Sequence, residues 1–296
     1  MWRSFASLAA TMIILRRSLS ALAVVGAMSG LLGLGCAATP LPPASSSPAS
    51  SSTGGPAPAA TTQSTSTLTT LPDYQAIVDA PDRSPADRAL DGGRHPLDLL
   101  KFAQIRPGMK VAEIAAGGGY TTELIARVVG PTGVVYGQNS KFILNRFAEK
   151  PWSERLATPV MKNVVRVDSE FSEPFSEAVH DLDVVVDVLF YHDTVWQGAD
   201  RARMNQTIFR ALRSGGLYVV VDHSARAGTG IADVETLHRI EESVVKEEIE
   251  RAGFKLARSA DFLRSPADTR DWSASPRTAG ERRGTSDRFV LAFVKP

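Results

Sequence analysis

The sequence predicts an α/β fold with a mainly parallel sheet and helices on both of its faces. Short, mainly apolar runs recur after residue 72, as expected for strands that are buried on both sides. Segments with helical spacing of apolar residues lie between most of these runs, and glycine or proline separates the two kinds of segment. Strands that alternate with helices form βαβ units and therefore parallel sheets.

The predicted strands are the apolar runs at residues 111–115, 133–136, 164–167, 182–188, 217–221, 254–257 and 289–294. The first predicted helix begins at Pro85, because Ser84 can cap it and Asp87 places an acidic group in its first turn. A second, short helix follows Pro96. Further helices are predicted at residues 121–129, 201–212 and 234–252, with a glycine close behind each.

Charge is segregated along the chain. The 296 residues carry 33 Lys and Arg against 32 Asp and Glu, but no acid and only three arginines precede Asp73. The remainder therefore has 30 bases against 32 acids, a net charge of −2. This balance disfavours a nucleic-acid partner, which a strongly basic domain would bind. The single cysteine excludes a disulfide scaffold and a Cys-rich zinc site.

Residues 1–35 have the layout of a secretory signal peptide, with Arg16 and Arg17 before an uncharged apolar stretch and Cys36 directly after it. The end of this stretch resembles a bacterial lipoprotein lipobox, although Gly33 stands where Leu is usual. The resemblance implies a lipidated Cys36 and an exported protein held on the periplasmic side of a membrane. A single uncleaved membrane anchor is the alternative, and a cytoplasmic location stays open.

Residues 36–71 form an uncharged tract of Ser, Thr, Ala, Pro and Gly. It has too few large apolar side chains to offset the entropy of ordering, so a flexible tether is expected after Cys36. The folded domain is then predicted at residues 72–296, which is long enough for one substantial core.

A glycine turn follows the first predicted strand, and it resembles a known motif. The sequence from Val111 to Gly119 is similar to motif I of the class I S-adenosylmethionine-dependent methyltransferases, an acid followed by a Gly-rich loop. A group of predicted bacterial methyltransferases shares further segments with this chain, at 117–120, 191–193 and 287–291. The resemblance implies a Rossmann-like, seven-stranded class I methyltransferase fold, S-adenosylmethionine as cofactor, and methyl transfer to an unidentified acceptor.

The same resemblance implies which residues bind the cofactor: Glu113, Gly117, Gly118, Gly119, Asn139 and Asp168. Asn139 stands where the family has an acid that accepts hydrogen bonds from the ribose hydroxyls, and an amide loses the charge-assisted part of that contact. Ala115 replaces the first glycine of the motif. A Rossmann dehydrogenase is disfavoured, because the third glycine of its fingerprint would fall at Thr122.

Candidate catalytic residues follow the fourth and fifth predicted strands. Tyr191, His192 and Asp193 come after one, and Asp222 and His223 after the other, so each pair could supply an imidazole base oriented by a carboxylate. The acceptor is expected to be a small molecule or another, unidentified group. No metal is expected, because the spacing of these residues follows no dedicated ligand pattern.

Other charged residues have simpler explanations. His180 and His238 are expected at the surface, and Glu248 is expected on the solvated face of the helix at 234–252. The arginine-rich segment at 264–288 is expected to be an insertion held by surface ion pairs. An exported protein has no evident supply of S-adenosylmethionine, so the alternative function is an exported binding protein with a methyltransferase fold and weak or lost activity.

Overall fold

The computed structural model describes residues 71–296. Clustering of the chain by contacts separates Met1–Thr65 from Ser66–Pro296, and the fold described here belongs to the second unit. The predicted signal peptide, the lipidated Cys36 and nearly all of the predicted tether lie outside the described residues. Among residues 71–296, no helix combines the length and the apolarity that crossing a bilayer requires.

One seven-stranded sheet organises the described residues, in the order β3-β2-β1-β4-β5-β7-β6. Neighbouring strands are parallel except β7, which runs antiparallel to both β5 and β6. The strands are β1 Lys110–Ile114, β2 Val134–Asn139, β3 Val164–Asp168, β4 Leu182–Val188, β5 Leu212–His223, β6 Lys255–Ala260 and β7 Arg288–Val294. All seven overlap the predicted apolar runs, which confirms the mainly parallel α/β fold.

Helices connect most of the parallel strands, whereas the connection from β3 to β4 at residues 169–181 contains only turns. The α-helices are α1 Tyr74–Val78, α2 Pro85–Arg94, α3 Pro96–Ala103, α4 Tyr120–Val129, α5 Lys141–Ile143, α6 Glu149–Leu156, α7 Asp193–Trp196, α8 Arg201–Ala211, α9 Val234–Leu237 and α10 Glu242–Arg251. The predicted start of α2 is confirmed, because the Ser84 side chain accepts a hydrogen bond from the Asp87 backbone N–H.

The single helix predicted at 234–252 is wrong, since the structure has two helices with a break at 238–241. His238 adopts a left-handed conformation with φ of 50° and ends α9. The guanidinium of Arg239 is fully buried against Asp268, with 2.8 Å between Nη1 and Oδ2. Ile240 then pairs with Ser224 beyond the end of β5. These tertiary contacts override the helical periodicity of the segment.

The core lies between the sheet and its helices. On the face covered by α4 and α6, the fully buried indole of Trp152 fills the space between two glycines. A Cβ atom would lie 2.6 Å from Cζ3 of this indole at Gly119 and 2.6 Å from its Cη2 at Gly137. Gly119 therefore lets the start of α4 pack closely against the Trp152 ring of α6, since any larger residue would overlap the ring.

Candidate functional site

The glycine turn between β1 and α4 lies at the carboxyl edge of the sheet. There β1 pairs with β2 on one side and with β4 on the other, so the connections leave the central strand in opposite directions. Ligands of open α/β sheets bind at such a switch point. The predicted placement of the turn is therefore confirmed, while the ligand itself stays a prediction.

Side chains from the end of β2 hold the turn in place. Gln138 accepts a hydrogen bond from the Ala115 backbone N–H at 3.0 Å. Asn139 contacts Gly117 twice: its Oδ1 accepts from the backbone N–H at 2.8 Å, and its Nδ2 donates to the carbonyl at 3.2 Å. Ala115 itself has a φ of 51°, which is unfavourable for alanine. The fully buried Asn139 thus supports the turn, and its predicted contact with a ribose remains a prediction.

The three glycines of the turn differ in their surroundings. Gly117 has a φ of 56°, and a Cβ there would have no neighbour closer than the carbonyl oxygen of Ala115 at 3.9 Å. At Gly118 a Cβ would make ordinary contact with Pro151 at 3.5 Å. Gly119 is required by the packing of Trp152. Gly117 is therefore the glycine that borders open space, where a ligand can approach the backbone.

Glu113 of β1 is buried beneath the turn and accepts a hydrogen bond from the Thr122 hydroxyl of α4. Burial raises the pKa of its carboxyl to about 7, although the hydrogen bonds from Thr122 and Thr121 oppose this shift. Asp168, at the end of β3, lies opposite Asn139 in the sheet and pairs with Arg166 at 2.8 Å between Nε and Oδ1. Its side chain is exposed at the same edge as the glycine turn.

His192 is the centre of a second group of polar residues at this edge. Its ring Nδ1 lies 2.7 Å from Oδ1 of Asp222, and its backbone N–H donates to Oδ2 of the same carboxylate at 2.7 Å. The orienting carboxylate therefore comes from β5 and not from the neighbouring Asp193. Pairing within each dipeptide, which the sequence analysis expected, is wrong for Asp222 and His223, because strand register places Asp222 under His192.

The other nitrogen of His192 faces two further residues. Its Nε2 lies 3.2 Å from Oδ1 of Asp193 and 3.3 Å from Nδ1 of His238. His238 was predicted to be an ordinary surface residue, but its Nδ1 also lies 3.3 Å from Oδ1 of Asp193. Because 46 residues separate His192 from His238, no local spacing in the sequence could reveal their contact.

Electrostatics couple His192 to its two carboxylates. Burial alone would lower the pKa of His192, but the charge of Asp222 and the hydrogen bonds to Asp193 and Asp222 outweigh it and raise the pKa to about 10. The pKa of Asp193 is held well below its usual range, since its hydrogen bonds to His192 and His238 outweigh the effect of its burial. Without another partner, His192 therefore carries a proton on both nitrogens at neutral pH.

Tyr191 and His223, two other candidates from the sequence, lie outside the group of polar residues around His192. The phenol of the buried Tyr191 donates to Glu248 at 2.9 Å and accepts from Asn205 at 2.8 Å. Glu248 is thus not a purely solvated residue, because it ties α10 to Tyr191 and to α8. His223 is buried with its Nδ1 2.8 Å from the Ser286 hydroxyl, and burial lowers its pKa well below the usual value. Their contacts within the fold indicate structural roles for both rings.

A small cleft lies beside the start of α4 and the end of β4. It is lined by Tyr120 and Thr121 at the start of α4, by Leu189 after β4 and by Val221 of β5, among others. Leu189 has a φ of 62°, a conformation that costs a branched residue free energy. Backbone strain at a strand end beside a cleft is typical of functional sites.

Comparison with known proteins agrees with the fold. No family model matches the chain. A solved S-adenosylmethionine-dependent methyltransferase from Aquifex aeolicus is 17% identical with a TM-score of 0.50, and the match covers 75% of this chain and 98% of that one. The precorrin-6y C5,15-methyltransferase of Geobacter metallireducens is 15% identical with a TM-score of 0.44, covering 68% and 88% of the two chains. The strand order and the likeness to the Aquifex aeolicus structure together confirm the predicted Rossmann-like fold of class I methyltransferases.

Proposed function

We propose that the protein is an S-adenosylmethionine-dependent methyltransferase that acts on a small acceptor bound beside His192. The observation that carries this proposal is the position of the glycine turn. It lies at the switch point of the sheet, and its Gly117 borders open space. A fold alone hosts many activities, so the site has to support the function.

The residues at the turn fit one end of the cofactor. The backbone of Gly117 and Gly118 can approach a ligand without interference from a Cβ atom, and Glu113 stabilises the turn from beneath through Thr122. Asp168 offers an exposed carboxylate at the end of β3, and both of its oxygens also accept from Nε of Arg166. S-adenosylmethionine would supply an electrophilic methyl group there, and its transfer depends mainly on the positioning of the two reactants.

The acceptor side consists of His192 and Asp193, with Asp222 as the positioning residue. Asp222 is fully buried and holds both the ring and the backbone N–H of His192, so the imidazole has one orientation. A fixed polar group at the cleft can orient an acceptor and influence the proton that the acceptor loses.

Calorimetric titration with S-adenosylmethionine tests the proposal. Gly117→Val is expected to abolish binding, because a β-branched side chain fills the open space and strains a φ of 56°. Gly280→Val is the matched control, since Gly280 has a φ of 54°, open surroundings and a position away from the turn. His192→Ala should bind the cofactor normally. Absence of binding by the wild-type protein at millimolar cofactor would refute the proposal.

One observation favours a binding protein without activity as the second candidate. Both polar atoms of Asn139 are used by Gly117, so the usual acidic contact with a ribose has no equivalent at this position. Transfer of radioactive methyl groups from S-adenosylmethionine to a periplasmic and membrane extract separates the candidates. An inactive binding protein would bind the cofactor and label nothing, whereas the enzyme would label an acceptor in a His192-dependent way.

We also propose that the protein is exported and held at a membrane by a lipid on Cys36. The support is the sequence of residues 1–71, with its basic start, apolar stretch, single cysteine and uncharged tract. Cys36→Ser should move the protein from the membrane fraction to the soluble fraction. If the variant stays in the membrane fraction, an uncleaved apolar anchor is the better explanation.

A further inference from the structure

Three side chains at the carboxyl edge of the sheet present their polar atoms to one another in a nearly equilateral triangle. The atoms are Nε2 of His192, Oδ1 of Asp193 and Nδ1 of His238, and their separations are 3.2, 3.3 and 3.3 Å. Two segments contribute, because the start of α7 carries His192 and Asp193 and the break after α9 carries His238.

Hydrogen bonds cannot form between all three pairs of these atoms at the same time. The carboxylate of Asp193 only accepts, so each imidazole nitrogen must carry a proton to bond with it. The two nitrogens would then both be donors, so the 3.3 Å contact between them would have no acceptor. If His238 instead accepts from His192, its lone pair faces the oxygen of Asp193. A single cation between the three atoms would satisfy all of them at once.

The dimensions of the triangle suit such an ion. Ligand atoms about 2.1 Å from a metal lie about 3.4 Å apart in a tetrahedral site and about 3.0 Å apart in an octahedral one. The observed separations of 3.2 and 3.3 Å lie between these values. We propose that His192, Asp193 and His238 bind one divalent transition-metal ion, for which Zn²⁺ is the natural probe.

Neighbouring side chains orient His192 and Asp193 in the way that metal ligands are usually oriented. Asp222 bonds Nδ1 of His192 at 2.7 Å, which directs Nε2 toward the triangle. A carboxylate behind a ligating histidine is the usual arrangement in zinc sites. The indole N–H of Trp196 donates to Oδ1 of Asp193 at 2.6 Å and holds that side chain in place.

His238 is positioned by the break between α9 and α10. Its left-handed backbone is followed by Arg239, which is anchored to the Ser224 carbonyl at 3.0 Å as well as to Asp268. The next backbone N–H, that of Ile240, donates to the His223 carbonyl at 3.0 Å. The three side chains differ in exposure, since His192 is 3% exposed and His238 27%. The ion would therefore have an entry path and an open position on the His238 side.

The donor set indicates the class of metal. Two imidazoles and one carboxylate, without a thiolate, suit Zn²⁺, Fe²⁺, Mn²⁺ or Co²⁺ and leave coordination positions free for water or for an oxygen of a ligand. An ion there would polarise such an oxygen and favour loss of its proton. The site rests on the geometry of three side chains and does not depend on methyl transfer, so zinc binding and cofactor binding can fail separately.

Titration of the full-length protein with Zn²⁺, after removal of metals with a chelator, tests the site. The wild-type protein should bind one ion per chain, and Co²⁺ should produce visible d–d absorption. His238→Ala should weaken Zn²⁺ binding by more than about 100-fold, and Asp222→Asn by about 10- to 100-fold, because it loses only the orienting carboxylate. His180→Ala is the matched control, since His180 also faces a carboxylate, that of Asp181 at 2.9 Å, but has no third partner.

Several results of the titration would contradict the proposed metal site. No cobalt spectrum and no stoichiometric zinc binding in the wild-type protein would overturn the proposal, as would equal losses in the His238 and His180 variants. If circular dichroism shows that His238→Ala is unfolded, Asp193→Asn provides the second ligand variant, because it keeps the size of the side chain. Unchanged zinc affinity in a folded Asp193→Asn protein would likewise overturn the assignment.

Discussion

Glu113→Gln should make the protein less sensitive to a rise in pH. The carboxyl of Glu113 is buried in β1, where its pKa is about 7 compared with an ordinary value of 4.5. Glutamine has nearly the same shape and retains an acceptor for the Thr122 hydroxyl, but it cannot ionise. The substitution therefore removes a buried charge with little change in packing.

The size of the effect follows from the shift in pKa. Because the native state holds its proton more tightly than the unfolded state, native Glu113 is favoured below pH 4.5 and loses this advantage as the pH rises through about 7. At about 1.4 kcal/mol for each pKa unit, the loss between these limits is about 3 kcal/mol of the free energy of unfolding. In the glutamine variant this contribution is absent at every pH.

Urea denaturation at about pH 5 and about pH 8 measures the effect. The difference in unfolding free energy between variant and wild type should shift by about 3 kcal/mol in favour of the variant at the higher pH. Other titrating groups, including the buried Asp187, cancel in this difference. Parallel stability curves for the two proteins, within about 0.5 kcal/mol, would refute the assignment of a raised pKa to Glu113.

Three further substitutions test the packing. Arg239→Ala should lower the free energy of unfolding by about 3 to 5 kcal/mol, because it leaves the buried carboxylate of Asp268 without its partner. Gly119→Ala should cost about 2 to 4 kcal/mol, since the new Cβ would lie 2.6 Å from the Trp152 ring at a φ of 85°. Gly92→Ala should stabilise the protein by about 0.5 to 1 kcal/mol, because this glycine lies inside a helix with open space around it. Urea denaturation at neutral pH measures all three.

Each of these substitutions can be compared with a similar substitution elsewhere in the same protein. Arg251→Ala removes an exposed helical pair with Glu247, so it should change the stability by no more than about 0.5 kcal/mol. A comparable loss in the Arg239 and Arg251 variants would contradict the role given to burial. Gly92 and Gly119 receive the same methyl group, so effects of the same sign would show that the surroundings of the two glycines do not decide the result.

Local patterns in the sequence predicted the elements of the fold. Strands such as β4 are mainly apolar because helices cover both faces of the sheet, and such runs are recognisable in the sequence. The start of α2 was predicted because an N-cap joins one side chain, here that of Ser84, to the backbone N–H three residues later, here that of Asp87. The glycine turn after β1 was recognised for the same reason, since its residues are consecutive.

Residues that are distant in the chain had to be brought together by the fold. Arg239 and Ile240 end the helix predicted at 234–252, because their partners in the other segments, Asp268 and Ser224, compete with helical hydrogen bonds. The same break places His238 beside His192, and the register of β4 and β5 places Asp222 behind it. None of these contacts follows from local spacing.

The sequence alone therefore determined the α/β fold class, the glycine turn and the position of the candidate residues at the ends of strands. These features depend on periodicity and on conformational preferences within a few residues. Only the tertiary structure decided that Asn139 supports the turn, that Gly119 makes room for Trp152, and that His192 faces Asp193 and His238. Such contacts join segments far apart in the chain, and their distances are set by the packing of the whole sheet and its helices.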